Sequence, residues 1–193
     1  MRKEKKNTAA IVMAWFVGIV MVLSVAGSVL YYSFGNQNLK YGKFSFVLSG
    51  SNQYITVIDG KRFVFNYFPS TLEDLNVSAG ITDTLKGAQV VYVAFDPENL
   101  SAQDLYVIDA IRYDMAQHFP KQIYSGVLAN DDRYPLPLMS CSNATNYAPM
   151  IVLENSNGSS ISRKGYCIFM AGSQQDLLRA YERLLYGYYG VML

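Results

Sequence analysis

The feature that most constrains this chain is a run of 22 residues, Ala9 to Leu30 (AAIVMAWFVGIVMVLSVAGSVL), without one charged side chain. A helix rises 1.5 Å per residue, so about 20 apolar residues match a hydrocarbon layer ~30 Å thick. Arg2, Lys3, Lys5 and Lys6 precede the run, and Tyr31-Tyr32 close it where an interfacial aromatic belt belongs. The expectation is a basic cytoplasmic tip over 1–8 and a single-pass transmembrane helix (a signal anchor) over 9–32. The rest then lies outside the cell membrane. A cleaved signal peptide would share the tip and would offer Ser24-Val25-Ala26 as its exit. The run continues through Ser28-Val29-Leu30 to spanning length, which favours a retained anchor. Ala14 with Gly18, and Ser24 with Ser28, are small residues at a spacing that lets two such helices pack closely.

Residues 33–40 (SFGNQNLK) read as a short polar tether, which leaves 41–193 as one extracytoplasmic domain. The net charge of +1 hides an asymmetry. The tip holds four basic residues and one acid, so the remainder carries twelve basic and fourteen acidic residues. With no Lys/Arg run beyond the tip, nucleic-acid binding has no electrostatic footprint. Cys141 and Cys167 are the two cysteines, and an even pair in an oxidising compartment reads as one disulfide. Two thiols are too few to hold a metal without further ligands, and the single histidine, His118, belongs to a different segment.

Phe44–Leu48, Tyr54–Ile58 and Arg62–Phe68 alternate as strands, with Asp59-Gly60 a hairpin signal and Pro69 a stop. Short helical turns follow at Leu72–Leu75 and Ile81–Leu85. Val90–Phe95 is a continuous apolar run, as in a strand covered on both faces. Ser101-Ala-Gln-Asp104 reads as a helix cap, Leu105, Ile108, Ile111 and Met115 recur at helical spacing, and Pro120 ends the helix. Gln122–Leu128 completes a βαβ unit with parallel strands. Met150–Leu153 and Tyr166–Met170 read as a late hairpin, and Ser173-Gln-Gln-Asp176 opens a last helix. The predicted class is α+β, with one mixed sheet and helices packed on it.

Candidate chemistry concentrates on acids. Asp96 and Glu98 follow the first parallel strand, and Asp131 and Asp132 follow the second. Carboxyl ends of neighbouring parallel strands share one sheet edge, and a divalent cation takes several oxygen ligands, so these four are the candidate metal ligands. The plainer alternative is solvated loops, with Asp96-Pro97 starting a turn. His118 lies at a helix end without a nucleophile elbow or phosphate-cradling glycine loop, so no catalytic or cofactor-binding residue is assigned. Asp109, Arg112 and Asp114 read as a solvated helix face, or as an ion pair worth less than ~1 kcal/mol. Four Asn-x-Ser/Thr sequons, at Asn76, Asn99, Asn143 and Asn157, are candidate glycosylation sites, Asn157 in a turn being the best placed.

On the last helix Leu177, Leu178, Tyr181, Leu184, Leu185 and Tyr188 form one stripe assigned to the core. Tyr186 points away from that stripe with Tyr189 at its flank, which makes them interface candidates, the alternative being burial by another part of the same chain or ordinary exposure. The function expected is a membrane-anchored extracytoplasmic interaction or accessory subunit, held in the bilayer and bound to a protein partner, without catalytic activity or cofactor. The alternatives are a divalent-metal-binding module or enzyme using the acidic loops, and a structural cell-surface glycoprotein.

Overall fold

The computed structural model describes residues 8–34, 38–77, 79–98 and 100–192. Among them are two sheets and four helices, a mixed α+β fold. Helix α1 runs Thr8–Phe34. Its side chains are described over 12–27, sixteen residues that are all exposed. Among the described residues no helix is long and apolar enough to cross a membrane.

The first sheet is an antiparallel meander in the order β1 (Asn38–Tyr41), β2 (Phe44–Leu48), β3 (Tyr54–Ile58) and β4 (Lys61–Phe65). Strand β1 takes up the end of the stretch expected to be a tether; four residues, half of them polar, carry too little alternation to announce it. Asp59 and Gly60 both adopt positive φ, 50° and 77°. That backbone twist suits a two-residue hairpin turn, as the Asp-Gly pair predicts. Leu39, Phe46, Thr56 and Phe63 stand in register across the four strands. Thr56 is buried among them and its hydroxyl donates to Ser45 O at 2.9 Å, so the one polar member is satisfied.

A 3-10 turn, Pro69–Leu72, and helix α2, Ala79–Gly87, lead into the second sheet. Its strands are β5 (Val90–Phe95), β6 (Gln122–Val127), β7 (Met150–Glu154), β8 (Ser160–Lys164) and β9 (Cys167–Ala171), in the order β6-β5-β7-β9-β8. Helix α3 (Ala102–His118) connects β5 to β6, which pair in parallel as the βαβ pattern predicts. Ser101 caps α3: its hydroxyl accepts from Asp104 N–H at 3.2 Å and donates to the Asp104 carboxylate at 2.6 Å.

Two expectations are corrected here. The meander does not join the βαβ unit in one sheet, because helices stand between them. The late hairpin is β8–β9, not Met150–Leu153 with Tyr166–Met170; β7 pairs in parallel with both β5 and β9. Strand β8 (SISRK) lies at the sheet edge and is mostly exposed, so it has no apolar face to betray it.

The second sheet shows why its strands read as unbroken apolar runs. Val91, Val93, Phe95, Ile151, Leu153, Ile168 and Met170 face one way and join the main core. Ala94, Met150, Val152 and Cys167 face the other way and form a second, smaller cluster with Met139 and Ala144. The cover on that side is the long β6–β7 connection rather than a helix. Val127 N–H donates to Pro137 O and Met139 N–H donates to Val127 O, so the connection runs against the edge of β6. Gly126 is required there, because a Cβ would lie 2.5 Å from the Met139 sulfur and 2.8 Å from Pro137 O.

Helix α4 (Gln174–Tyr188) lies against α2, α3 and the second sheet on one side and the meander on the other. All its residues from Ala180 to Tyr188 are buried. Ser173, expected to cap it, makes no side-chain cap; its carbonyl instead accepts from Asp176 N–H.

The disulfide is present. Cys141, in a 3-10 turn of the β6–β7 connection, joins Cys167 at the start of β9, with Cα atoms 5.7 Å apart. It fastens the cover over the second face of the sheet. A Cys141→Ala/Cys167→Ala variant is expected to lose about 2–4 kcal/mol of stability in urea denaturation. Hydrogen exchange in that variant is expected to accelerate first in residues 128–149; uniform acceleration would contradict a local cover.

Candidate functional site

The acidic loops do meet. Arg133 donates to both Asp131 carboxylate oxygens, at 2.9 Å from Nε to Oδ1 and 2.5 Å from Nη2 to Oδ2. The same Nη2 donates to Pro97 O at 2.7 Å, which ties the loop after β6 to the loop after β5. The guanidinium and the Arg133 N–H hold the Asp131 carboxyl down at about 2. Asp96 is half-buried and its Oδ1 accepts from Glu98 N–H at 3.0 Å, an Asx turn. Glu98 and Asp132 are exposed. A cavity of about 420 Å³ at this edge is lined by Asp96, Leu128, Glu154 and Asn155. Glu154 escapes sequence analysis because its place there follows from β7 lying beside β5. Among the described residues, no group of three or more His, Cys, Asp or Glu side chains is placed to hold a metal ion.

The charged residues of α3 stay partly exposed and form the expected ion pair, Asp109 with Arg112. Asp109 accepts from Arg112 Nη1 at 2.5 Å and from the Tyr134 hydroxyl at 2.9 Å. Asp114 accepts from the hydroxyl of Tyr181 and lies 2.9 Å from His118 Nδ1. The His118 ring packs on Phe63 with centroids 4.8 Å apart. These side chains connect α3 to its neighbours on three sides.

The most unusual group in the domain is Glu182, in the middle of α4 and 2 % exposed. Its Oε1 accepts from the backbone N–H and side-chain Nδ2 of Asn66, both at 2.8 Å, and its Oε2 from Tyr67 N–H at 2.9 Å. The carboxylate thus takes the backbone donors that β4 leaves at its end. Burial pushes the carboxyl up to about 7; the three donors pull it back, and the Asp114 charge adds to the rise. Glu182 and Asp114 face a groove of about 470 Å³ bordered by Gln53, Asn66, Tyr106 and Tyr181. Three donors on the two oxygens commit this carboxylate to holding β4 against α4. Glu182 went unassigned in the sequence, although Leu178, Leu185 and Tyr186 at helical spacing around it were the available signal.

Of the readings open for Tyr186, docking to a partner or burial by another part of the same chain, the structure bears out burial. Tyr186 is fully buried, its ring lies 4.1 Å from that of Phe65, and its hydroxyl donates to Tyr67 O at 2.8 Å. It faces away from the second sheet, as its phase requires, but the meander covers that side. Tyr189 is half-buried against Phe63 and donates its hydroxyl to His118 O. The Tyr186 ring is closed to a partner, and the Tyr189 ring keeps part of its surface exposed. Of the sequon asparagines, Asn76, Asn143 and Asn157 are exposed, and Asn99 lies outside the described residues.

No protein-family model matches the chain, and no curated protein or solved structure matches it.

Glu182 gives the fold a pH dependence with a definite sign. A carboxyl raised from 4.5 to about 7 on folding favours the protonated folded state. Its contribution to stability is therefore present below about pH 4.5 and lost as pH rises through about 7. Glu182→Gln is expected to cost about 1–3 kcal/mol, since one amide hydrogen now faces a backbone donor. The difference between wild type and variant in urea midpoint is expected to shrink as pH rises from about 4.5 to about 7. Parallel profiles would contradict the assignment.

Proposed function

We propose that this chain is a membrane-anchored extracytoplasmic interaction or accessory subunit without catalytic activity. The observation that carries this reading is α1. Val12, Met13, Trp15, Phe16, Met21, Val22 and Leu23 are each more than 60 % exposed along it. Apolar side chains open on every side of a helix need an apolar surround, and the charge-free run of 22 residues behind a basic tip suits a bilayer. The disulfide fits an oxidising extracytoplasmic compartment. The carboxylates with shifted pKa are engaged by Arg133, Asn66 and Tyr67, which suits scaffolding better than proton transfer.

One observation favours a second reading. Asp96 and Glu154 line a common cavity at the carboxyl edge of parallel strands, where a cation-binding module would place its ligands. A rise in melting temperature with calcium, magnesium or manganese would select that reading; indifference to all three fits the first.

Two measurements test the proposal. The full-length chain is expected to resist alkaline extraction from membranes, while Val17→Lys/Val20→Lys is expected to be released. Each lysine at a helix centre costs about 2.5–3.5 kcal/mol of insertion free energy. Equal release of both would remove the anchor. The gently solubilised native species is expected to exceed one chain plus its detergent belt in light scattering; a lone chain would contradict the subunit role.

A further inference from the structure

We infer that the outer face of the meander lies on the anionic surface of the bilayer. The inference rests on the proposed membrane anchoring of α1 and deepens it by assigning a second, peripheral lipid contact. Alternation along the four strands turns Asn38 and Lys40 of β1, Ser45 and Val47 of β2, Ile55 and Val57 of β3, and Arg62 and Val64 of β4 away from the core. Val47, Ile55 and Val64 stand directly in register across three strands, and Val57 pairs with Arg62. Val57 is 63 % exposed and Val64 44 %. In an antiparallel sheet with one solvated face, these positions are normally polar.

Charge selects the occupant. None of the eight outward residues is acidic, and Lys40 and Arg62 are basic. Lys43, in the β1–β2 turn, borders the same shallow depression as Val47, Ile55 and Val57. An aliphatic patch whose outward strand positions are basic or neutral, with the one acid at the turn end, Asp59, outnumbered there by Lys43 and Lys61, fits a layer of anionic headgroups over acyl chains. A second copy docked face to face would bring like charges together. Covalent reach places the sheet within range. Phe34 ends α1 and Asn38 begins β1, four Cα steps apart, so at most ~15 Å separates them. The polar headgroup zone extends several ångströms beyond the hydrocarbon, so β1 starts within or beside it.

The test uses the full-length chain in nanodiscs of phosphatidylcholine, with or without phosphatidylglycerol. Trp15, the single tryptophan, reports on α1 through quenching by brominated lipid. An environment-sensitive dye on Val57→Cys reports on the meander face, and the same dye on Tyr147→Cys reports on the opposite side, in the connection that covers the second sheet. Quenching by lipid-borne nitroxide, taken relative to aqueous iodide, is expected to be at least fivefold stronger at 57 than at 147 in anionic discs. Reversing Lys40, Lys43 and Arg62 to Glu is expected to remove that excess, with the melting temperature checking the fold. Equal ratios at 57 and 147 while Trp15 is quenched would overturn this inference alone. An excess at 57 that survives charge reversal would also overturn it, since anionic lipid would not be what holds the face. Unquenched Trp15 would overturn the anchor, and this contact with it.

Discussion

The structure depends on one buried carboxylate and the helix that carries it. Glu182 accepts the backbone N–H groups of Asn66 and Tyr67, which are the first donors after β4 stops pairing. Around it, Tyr181 reaches Asp114 on α3, and Tyr186 reaches Tyr67 O. Three polar side chains of α4 thus bond to segments on two sides, in a place where unmet donors would be costly. The rings of Phe46, Phe63 and Phe65 from the meander meet Tyr186 and Tyr189, while Ile168 and Met170 of the second sheet belong to the same core cluster. Two sheets separate in hydrogen bonding are therefore one body in packing.

That sandwich explains what the sequence disclosed and what it concealed. Local patterns were legible: the capping box at Ser101 and Asp104, the Asp59-Gly60 turn, the stripe Leu105, Ile108, Ile111 and Met115, and the βαβ pairing. Each is decided by neighbours close along the chain. Tyr186 stayed open between docking and burial because phase on a helix says which residues face together, not how many layers surround it. A helix covered on both sides has no outward face, so its second aromatic row looks like an interface. Strand β8 was hidden for the opposite reason, being an exposed edge strand with charge and no apolar signature. The site was legible only in part. Asp96 and Asp131 do lie on adjoining loops, but their partners Arg133 and Glu98 bond to them locally, and Glu154 enters through a strand order that spacing does not encode.

The disulfide has a clear physical setting. The second sheet keeps helices on one face, so its other face needs a cover from irregular chain, which has little cooperative structure of its own. Main-chain bonds to Val127 and the Cys141–Cys167 bridge hold that cover in place. The domain thus has a tight interior between its two sheets and a stapled outer skin. Beyond the exposed apolar side chains of α1, Val57 and Val64 are exposed on the outer meander face, which adjoins α1 along the chain, while Leu138, Tyr106, Tyr113, Tyr124, Tyr147 and Tyr166 are exposed elsewhere. Shape and charge together orient the proposed bilayer contacts toward the beginning of the chain and leave the second sheet and its stapled cover facing away.

The central claim is that α4 makes the two sheets a single cooperative unit. Native-state hydrogen exchange on the full-length chain, followed through rising denaturant, tests it most directly. The account predicts that the slowest amides of the meander (Phe46, Thr56, Phe63) and those of β5 and β9 (Val93, Ile168) merge into one global opening with the same free energy and denaturant slope. A meander that opens separately, at lower free energy and smaller slope while β5 and β9 stay protected, would contradict it.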